Sequence, residues 1–176
     1  MNNWYAVYTK VNGEKKVISQ LIRKKINFCC PMNRHNQISR FGKKSSVEYP
    51  LFPGIIFVES NAGSAQELTR LNGVENLLYW LGTPARISDL EIEALQQFTC
   101  NYPGIRVDKI PVNVHIRPEL TFEKQVSLSG NRVNVTGQIA RLELPVIGFR
   151  LEAPVTGAFP EIHPVLQQQQ LTASLS

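Results

Sequence analysis

The chain of 176 residues carries 19 Lys or Arg against 14 Asp or Glu, and 43% of its residues are hydrophobic. This composition is that of a folded protein with one ordinary or two small domains. No apolar run reaches the roughly 18 residues of a membrane helix, and the start carries no secretory signal. The three cysteines, two of them adjacent, fit neither a disulfide framework nor a metal site. We therefore expect a cytoplasmic protein without metal, cofactor or membrane contact.

The positive charge is concentrated in the amino-terminal third. Residues 1–58 contain ten Lys or Arg and two Glu, whereas the rest of the chain contains nine basic and twelve acidic side chains. This asymmetry is typical of a surface that faces nucleic acid. A basic face that is merely solvated would give the same pattern, so charge alone does not choose between them.

The first hundred residues predict alternating strands and helices. We expect strands at 4–9, 34–41, 47–59 and 74–81 and helices at 14–25, 64–71 and 88–99. The two runs at 34–41 and 47–59 flank a basic, turn-rich loop and predict a long hairpin. The helix at 14–25 has one apolar face, and Lys16, Gln20 and Arg23 lie opposite it at i, i+4 and i+7.

The clearest helix signal is Ser88-Asp89-Leu90-Glu91, which has the pattern of a capping box. In such a box the serine and glutamate side chains each accept a hydrogen bond from the other residue's backbone N–H. The helix then runs to about Thr99 with apolar residues on one side. This pattern predicts a helix packed on a sheet.

Beyond residues 101–104 the sequence changes to short β-rich runs separated by glycines and prolines. These runs are 112–116, 125–128, 132–135, 139–144 and 148–153. They predict a small barrel. The last ten residues are glutamines followed by small polar residues, and they predict a disordered tail.

Several motifs occur in an order that resembles one family. They are residues 4–10 (WYAVYTK), 14–16 (EKK) and 50–54 (PLFPG) with the apolar run that follows. Together they resemble the amino-terminal domain of the NusG family, transcription elongation factors that act on RNA polymerase. Residues 30–34, 79–85 and 91–92 are most similar to the UpxY-type antiterminators, specialised relatives linked to capsular polysaccharide operons.

The carboxy-terminal runs resemble a KOW module with one departure. Val126, Leu128, Gly130 and Gly137 fit the motif, whereas Asn134 stands where the motif has a glycine. Asparagine tolerates positive φ better than other non-glycine residues, so the turn can survive. The resemblance implies an α+β fold: an NGN-like antiparallel sheet flanked by helices, then a small all-β KOW or SH3-like barrel. We expect the amino-terminal domain at 3–103, a linker at 104–111, the barrel at 112–166 and the tail at 167–176.

The resemblance implies an apolar surface for the clamp helices of RNA polymerase. By position, Tyr8, Phe52, Ile55 and Phe57 would be its anchors, and we call these four residues the apolar set. Strand alternation alone cannot bring the last three to one face without a bulge. An ordinary core would use the same residue types, so this alternative stays open. Two prolines precede the strand, and we expect them to fix φ at its mouth.

The resemblance also implies contact with the non-template DNA strand through Lys10, Lys16, Gln20 and Arg23. Such residues suit phosphate contacts, which give salt-dependent affinity without reading sequence. A solvated helix face is the alternative. RfaH-like relatives carry a further polar patch for a second polymerase element, and residues 61–69 contain no counterpart.

No catalytic constellation is visible, because the three histidines are scattered and no phosphate-binding glycine loop occurs. We therefore expect a non-enzymatic, monomeric elongation or antitermination factor, and a ribosomal or termination-factor partner for the barrel. The alternative is an RNA- or ribosome-binding protein that does not bind polymerase. The barrel region carries few basic residues, which argues against this alternative.

RfaH-type relatives can refold the carboxy-terminal part into a helical hairpin that masks the clamp site. Here Pro145 and Gly148 would fall inside the second helix of such a hairpin. An interior proline costs about 3 kcal/mol and a glycine about 1 kcal/mol relative to alanine. We therefore expect a permanent β structure and no masked state.

Overall fold

The computed structural model describes residues 2–38, 44–129 and 132–155. The strands are β1 Asn2–Thr9, β2 Phe28–Cys29, β3 Met32–Ile38, β4 Lys44–Pro50, β5 Ile55–Asn61, β6 Val74–Leu77, β7 Tyr79–Trp80, β8 Thr83–Pro84, β9 Arg106–Lys109, β10 Glu119–Ser129, β11 Arg132–Leu144 and β12 Phe149–Val155. The α-helices are α1 Glu14–Arg23 and α2 Asp89–Asn101, and a 3-10 helix covers Ala65–Arg70. The predicted tail at 167–176 and the end of the predicted barrel lie outside the described residues.

The first sheet is antiparallel with strand order β2-β5-β1-β6. Strict alternation along its central strand β1 separates two faces: Tyr5 and Val7 pack with α1 and the 3-10 helix, whereas Ala6 packs with α2. Helix α1 buries Val17 and Leu21 against the first of these faces. The amphipathic helix predicted at 14–25 is therefore confirmed.

A tight turn explains Pro53, the second of the two prolines before the strongest strand. The Ile55 N–H donates to the Phe52 carbonyl (3.0 Å), and Gly54 has φ of +80°. Proline followed by a residue with positive φ is the pattern of a type II turn. Glu14 of α1 accepts from the Gly54 N–H (3.0 Å), and the Gly54 carbonyl accepts from the Thr9 N–H (2.8 Å). The run predicted as one strand at 47–59 is therefore two strands, β4 and β5, joined by this turn.

The second sheet is antiparallel with strand order β10-β11-β12-β9. Strand β11 is continuous through the runs predicted at 132–135 and 139–144, and β12 corresponds to the run predicted at 148–153. The strand predicted at 112–116 is wrong, because this segment makes turns, and β9 forms instead inside the predicted linker. The α+β fold, with a helix-flanked antiparallel sheet followed by an all-β part, is confirmed.

The two sheets share one apolar core. The inner face of the second sheet packs on the face of the first sheet that also holds α2, and we call this cluster the shared core. The second sheet contributes Ala140, Leu142, Leu144, Leu151 and Ala153, all nearly fully buried. Its outer face carries cross-strand ion pairs instead: Arg141 with Glu152 and Glu123, Arg150 with Glu143, and Arg106 with Glu152. This division of polar and apolar faces orients the second sheet on the first.

None of the helices in the described segments is long and apolar enough to cross a membrane.

The turn that precedes β5 gives a stability prediction. Gly54→Ala forces a side chain into the positive-φ region, so we expect it to lower the free energy of unfolding by about 1–2 kcal/mol. Gly63→Ala is the matched control, because Gly63 lacks a positive φ and its added Cβ meets only ordinary contacts. Urea unfolding of both variants measures the difference. Equal stability of the two variants would contradict this role of the turn.

Candidate functional site

The turn and strand β5 bring the apolar set to one place. Ile55 and Phe57 alternate along β5 and face the shared core, and Tyr8 lies opposite Ile55 in the neighbouring strand. The Phe52 ring, carried by the turn, meets the Phe57 ring edge-to-face at 5.8 Å between centroids. The turn thus brings Phe52 to the same face as Ile55 and Phe57, which strand alternation alone cannot do. No bulge within β5 is needed.

The second sheet covers this place. Phe52, Ile55 and Phe57 are 3%, 8% and 0% exposed, and Tyr8 is half-buried, which raises the pKa of its hydroxyl. Phe149, at the start of β12, stacks on Phe52 with centroids 4.8 Å apart. We expected no masking, whereas in this conformation the second sheet covers the apolar set. The covering segment consists of strands, as expected for the carboxy-terminal part, and not of a helical hairpin.

The predicted DNA-binding residues divide into two groups. Lys10, Lys16 and Arg23 are exposed, and within the described segments none of them makes an ion pair; we call these three the basic face. Gln20 is different, because its side-chain amide donates to the Asn72 carbonyl (2.7 Å) and accepts from the Asn72 N–H (3.0 Å). Both polar atoms of its amide are thus engaged in tying α1 to the loop before β6. The structure assigns Gln20 a positioning role.

The start of α2 makes a long-range contact that the sequence did not reveal. The predicted cap is half confirmed: Ser88 Oγ accepts from the Glu91 N–H (3.2 Å). The Glu91 carboxylate does not bond back to Ser88. Its Oε1 accepts instead from the N–H groups of Val146 and Ile147, each at 3.2 Å, in the turn between β11 and β12. No local pattern could reveal this contact, because its partners are 55 and 56 residues away.

The environment of Glu91 is unusual for a carboxylate. The residue is 0% exposed, and its second oxygen, Oε2, has no hydrogen-bond partner among the described residues. Burial raises its pKa to about 7, although the two backbone N–H groups that bond to Oε1 act to lower it. Glu91 therefore joins the first half of the chain to the second through a group that titrates near neutrality.

The described part of the chain is thus a helix-flanked antiparallel sheet joined to an all-β part through one core. A family model described as "Transcription termination factor nusG" matches residues 2–96, more than half of the chain. The chain belongs to the NusG family, as the sequence resemblance predicted. This is a family of transcription termination and antitermination factors, not of enzymes.

Two individual proteins are similar over most of their length. The "Transcription termination/antitermination protein NusG" of Deinococcus radiodurans is 27% identical over 189 residues, which cover 90% of this chain and 97% of that protein. The solved structure "Domain interaction in Thermotoga maritima NusG" has 17% identity and a TM-score of 0.46, over 88% of this chain and 93% of that one.

The contacts of Gln20 with Asn72 predict that its side chain stabilises the fold. Gln20→Ala leaves the Asn72 backbone without its partners, so we expect a loss of about 0.5–1.5 kcal/mol in the free energy of unfolding. Ser19→Ala is the control, because the exposed Ser19 hydroxyl bonds only within its own helix. Denaturant unfolding checks both variants. An unchanged stability of Gln20→Ala would remove the positioning role.

Proposed function

We propose that the protein is an elongation or antitermination factor that binds the clamp helices of RNA polymerase through the apolar set. One observation carries this proposal: a turn and two strands collect four large apolar side chains on one face, beneath the second sheet. Aromatic and aliphatic anchors in one patch are what an interface with a helix pair requires. Membership of the NusG family supports a polymerase partner.

Polymerase binding then requires the second sheet to move away. Phe149 occupies the space over Phe52 that a clamp helix would take, so the two contacts exclude each other. The apparent affinity for polymerase is the affinity of the open form, reduced by the fraction of molecules that are open. Closing of the second sheet over the apolar set therefore lowers the apparent affinity for polymerase.

The basic face supports a second contact, with the non-template DNA strand. Lys10, Lys16 and Arg23 are exposed and point their charges to solvent, which suits phosphate contacts. We leave Gln20 out of this proposed contact, because its amide is engaged with Asn72. With both contacts made, the factor would hold the transcription bubble in a form that resists pausing or termination.

The finer points of the proposal follow the sequence resemblance. We place the protein among the specialised, UpxY-like relatives, acting as a cytoplasmic monomer on particular operons such as capsular polysaccharide loci. The second sheet, once released, would offer itself to a ribosomal or termination-factor partner. RNA binding by that sheet has less support, because Arg106, Arg141 and Arg150 are paired with carboxylates.

A pair of variants tests the covered surface. Phe52→Ala and Phe149→Ala both remove the Phe52–Phe149 ring contact, and Phe52→Ala also removes the contact with Phe57. We expect opposite effects on binding to purified RNA polymerase. Phe52→Ala removes an anchor, worth about 2–4 kcal/mol, and weakens binding at least about thirtyfold. Phe149→Ala loosens the cover and strengthens binding. Equal weakening by both variants would contradict the proposal.

The basic face is tested by its salt dependence. Lys16→Glu combined with Arg23→Glu should weaken association with an elongation complex and reduce the slope of log affinity against log salt by about 0.7 per lost contact. Lys109→Glu, an exposed cation in β9, is the control and should leave the slope unchanged. Identical slopes for the double variant and the wild type would mean that the face is only solvated.

A further inference from the structure

The contact between Glu91 and the β11–β12 turn is a buried polar link between α2 and the second sheet. Its carboxylate comes from α2 in the first half, and its donors, the N–H groups of Val146 and Ile147, come from the second sheet. We call this contact the Glu91 bridge. The turn itself is tightly built, because the Gly148 N–H donates to the Leu144 carbonyl (2.8 Å) and Gly148 has φ of +80°. Separation of the two sheets must break the bridge.

The bridge is incompletely satisfied when Glu91 is ionised. A buried carboxylate needs donors for both oxygens, and here Oε2 has none. A protonated carboxyl group avoids the cost of burying charge, and its Oε1 can still accept from both N–H groups. In an open molecule the carboxylate would be hydrated and would ionise freely. Closing therefore favours the neutral form, and ionisation favours opening.

No charged side chain of the described elements compensates this burial. The turn at 145–148 contains none, and Arg141 and Glu143 of β11 lie in ion pairs on the outer face of the second sheet. On α2 itself, Asp89 and Glu93 are exposed, and Asp89 accepts from the Trp4 indole N–H (2.8 Å).

The other titratable groups of the shared core stay neutral around pH 7. They are Tyr8, Cys29 and Tyr102, and burial raises the pKa of each from a value already above neutrality. In the described part of the core, Glu91 is thus the group that changes charge between pH 5 and 8.

We propose that Glu91 is a proton-controlled latch between the two halves, which closes over the apolar set when the carboxyl group is neutral and releases it when the group ionises. The direction of this pH effect follows from the geometry of the buried carboxylate. Among the described residues, one of its oxygens has two hydrogen-bond donors and the other has none. Its consequence for recruitment rests on the proposed function of the apolar set, whereas the opening equilibrium itself does not.

The size of the effect follows from linkage. The pKa of Glu91 is about 7 when closed, against 4.5 for an ordinary glutamate. The closed form therefore binds the proton more tightly; its advantage is complete below pH 4.5 and is lost as the pH rises towards 7. The full range is about 300-fold in the opening constant, and the change between pH 6 and pH 8 is about tenfold.

Amide hydrogen exchange of the full chain measures the opening directly. The N–H groups of Val146 and Ile147 are protected by the bridge, and exchange rates divided by intrinsic rates give the opening constant. We expect that constant to rise about tenfold from pH 6 to pH 8 in the wild type. Amides in the β1–β5 ladder should show no matching change.

Variants of α2 identify the group responsible. Glu91→Gln keeps an acceptor for the two N–H groups and should abolish the pH dependence, and Glu91→Leu should abolish it as well. Glu93→Gln, an exposed change on the same helix, should retain the tenfold rise. If neither Glu91 variant folds, the carboxyl carbon signal of Glu91 in the wild type decides. A midpoint near pH 7 supports the latch, and a midpoint near 4.5 overturns it.

Polymerase binding at the two pH values separates the latch from the proposed function. An opening constant that rises with pH, with polymerase binding that does not follow it, would leave the latch intact and refute the covered surface. A pH-independent opening constant in the wild type, or a tenfold rise that persists in Glu91→Gln, would overturn the latch.

Discussion

The burial of one apolar face by two sheets is the constraint on which this structure depends. The first sheet needs a partner for the face that holds the apolar set, and the second sheet needs one for Leu142, Leu144 and Leu151. In this arrangement each covers the other. Because the described part of the sheet's outer face is a ladder of ion pairs, its inner face is the apolar surface that it offers there. Whatever binds the apolar set must compete with this contact.

Because a partner must compete with the second sheet, the strength of the contact between the two sheets controls access to the apolar set. Near neutral pH the contact between the Phe52 and Phe149 rings favours the closed form, whereas the Glu91 bridge weakens it. The stack is apolar and indifferent to pH, whereas the bridge buries a carboxylate that is only partly satisfied. A closed state made of the stack alone would be harder to open near neutral pH. The bridge weakens closing there and keeps the apolar set within reach of a partner.

Local chemistry could be predicted from the sequence, and contacts between distant segments could not. The faces of α1 and the serine cap of α2 follow from residues within one or two turns, and both predictions were correct. The role of Glu91 was missed because its partners lie in another sheet, and a capping pattern explained it locally. The contact of Gln20 with the Asn72 backbone was missed for a similar reason, since helical spacing says nothing about Asn72. The masking of Phe52 likewise depends on how the two sheets pack.

The central claim is that the second sheet covers the apolar set in the free protein and leaves it on binding. Nuclear Overhauser contacts between the rings of Phe52 and Phe149, followed in the full chain during titration with an isolated clamp-helix coiled coil, test this most directly. The account predicts a ring–ring contact in the free protein that disappears at saturation, with new contacts from Phe52 to the coiled coil. A Phe52–Phe149 contact that persists in the saturated complex would contradict it.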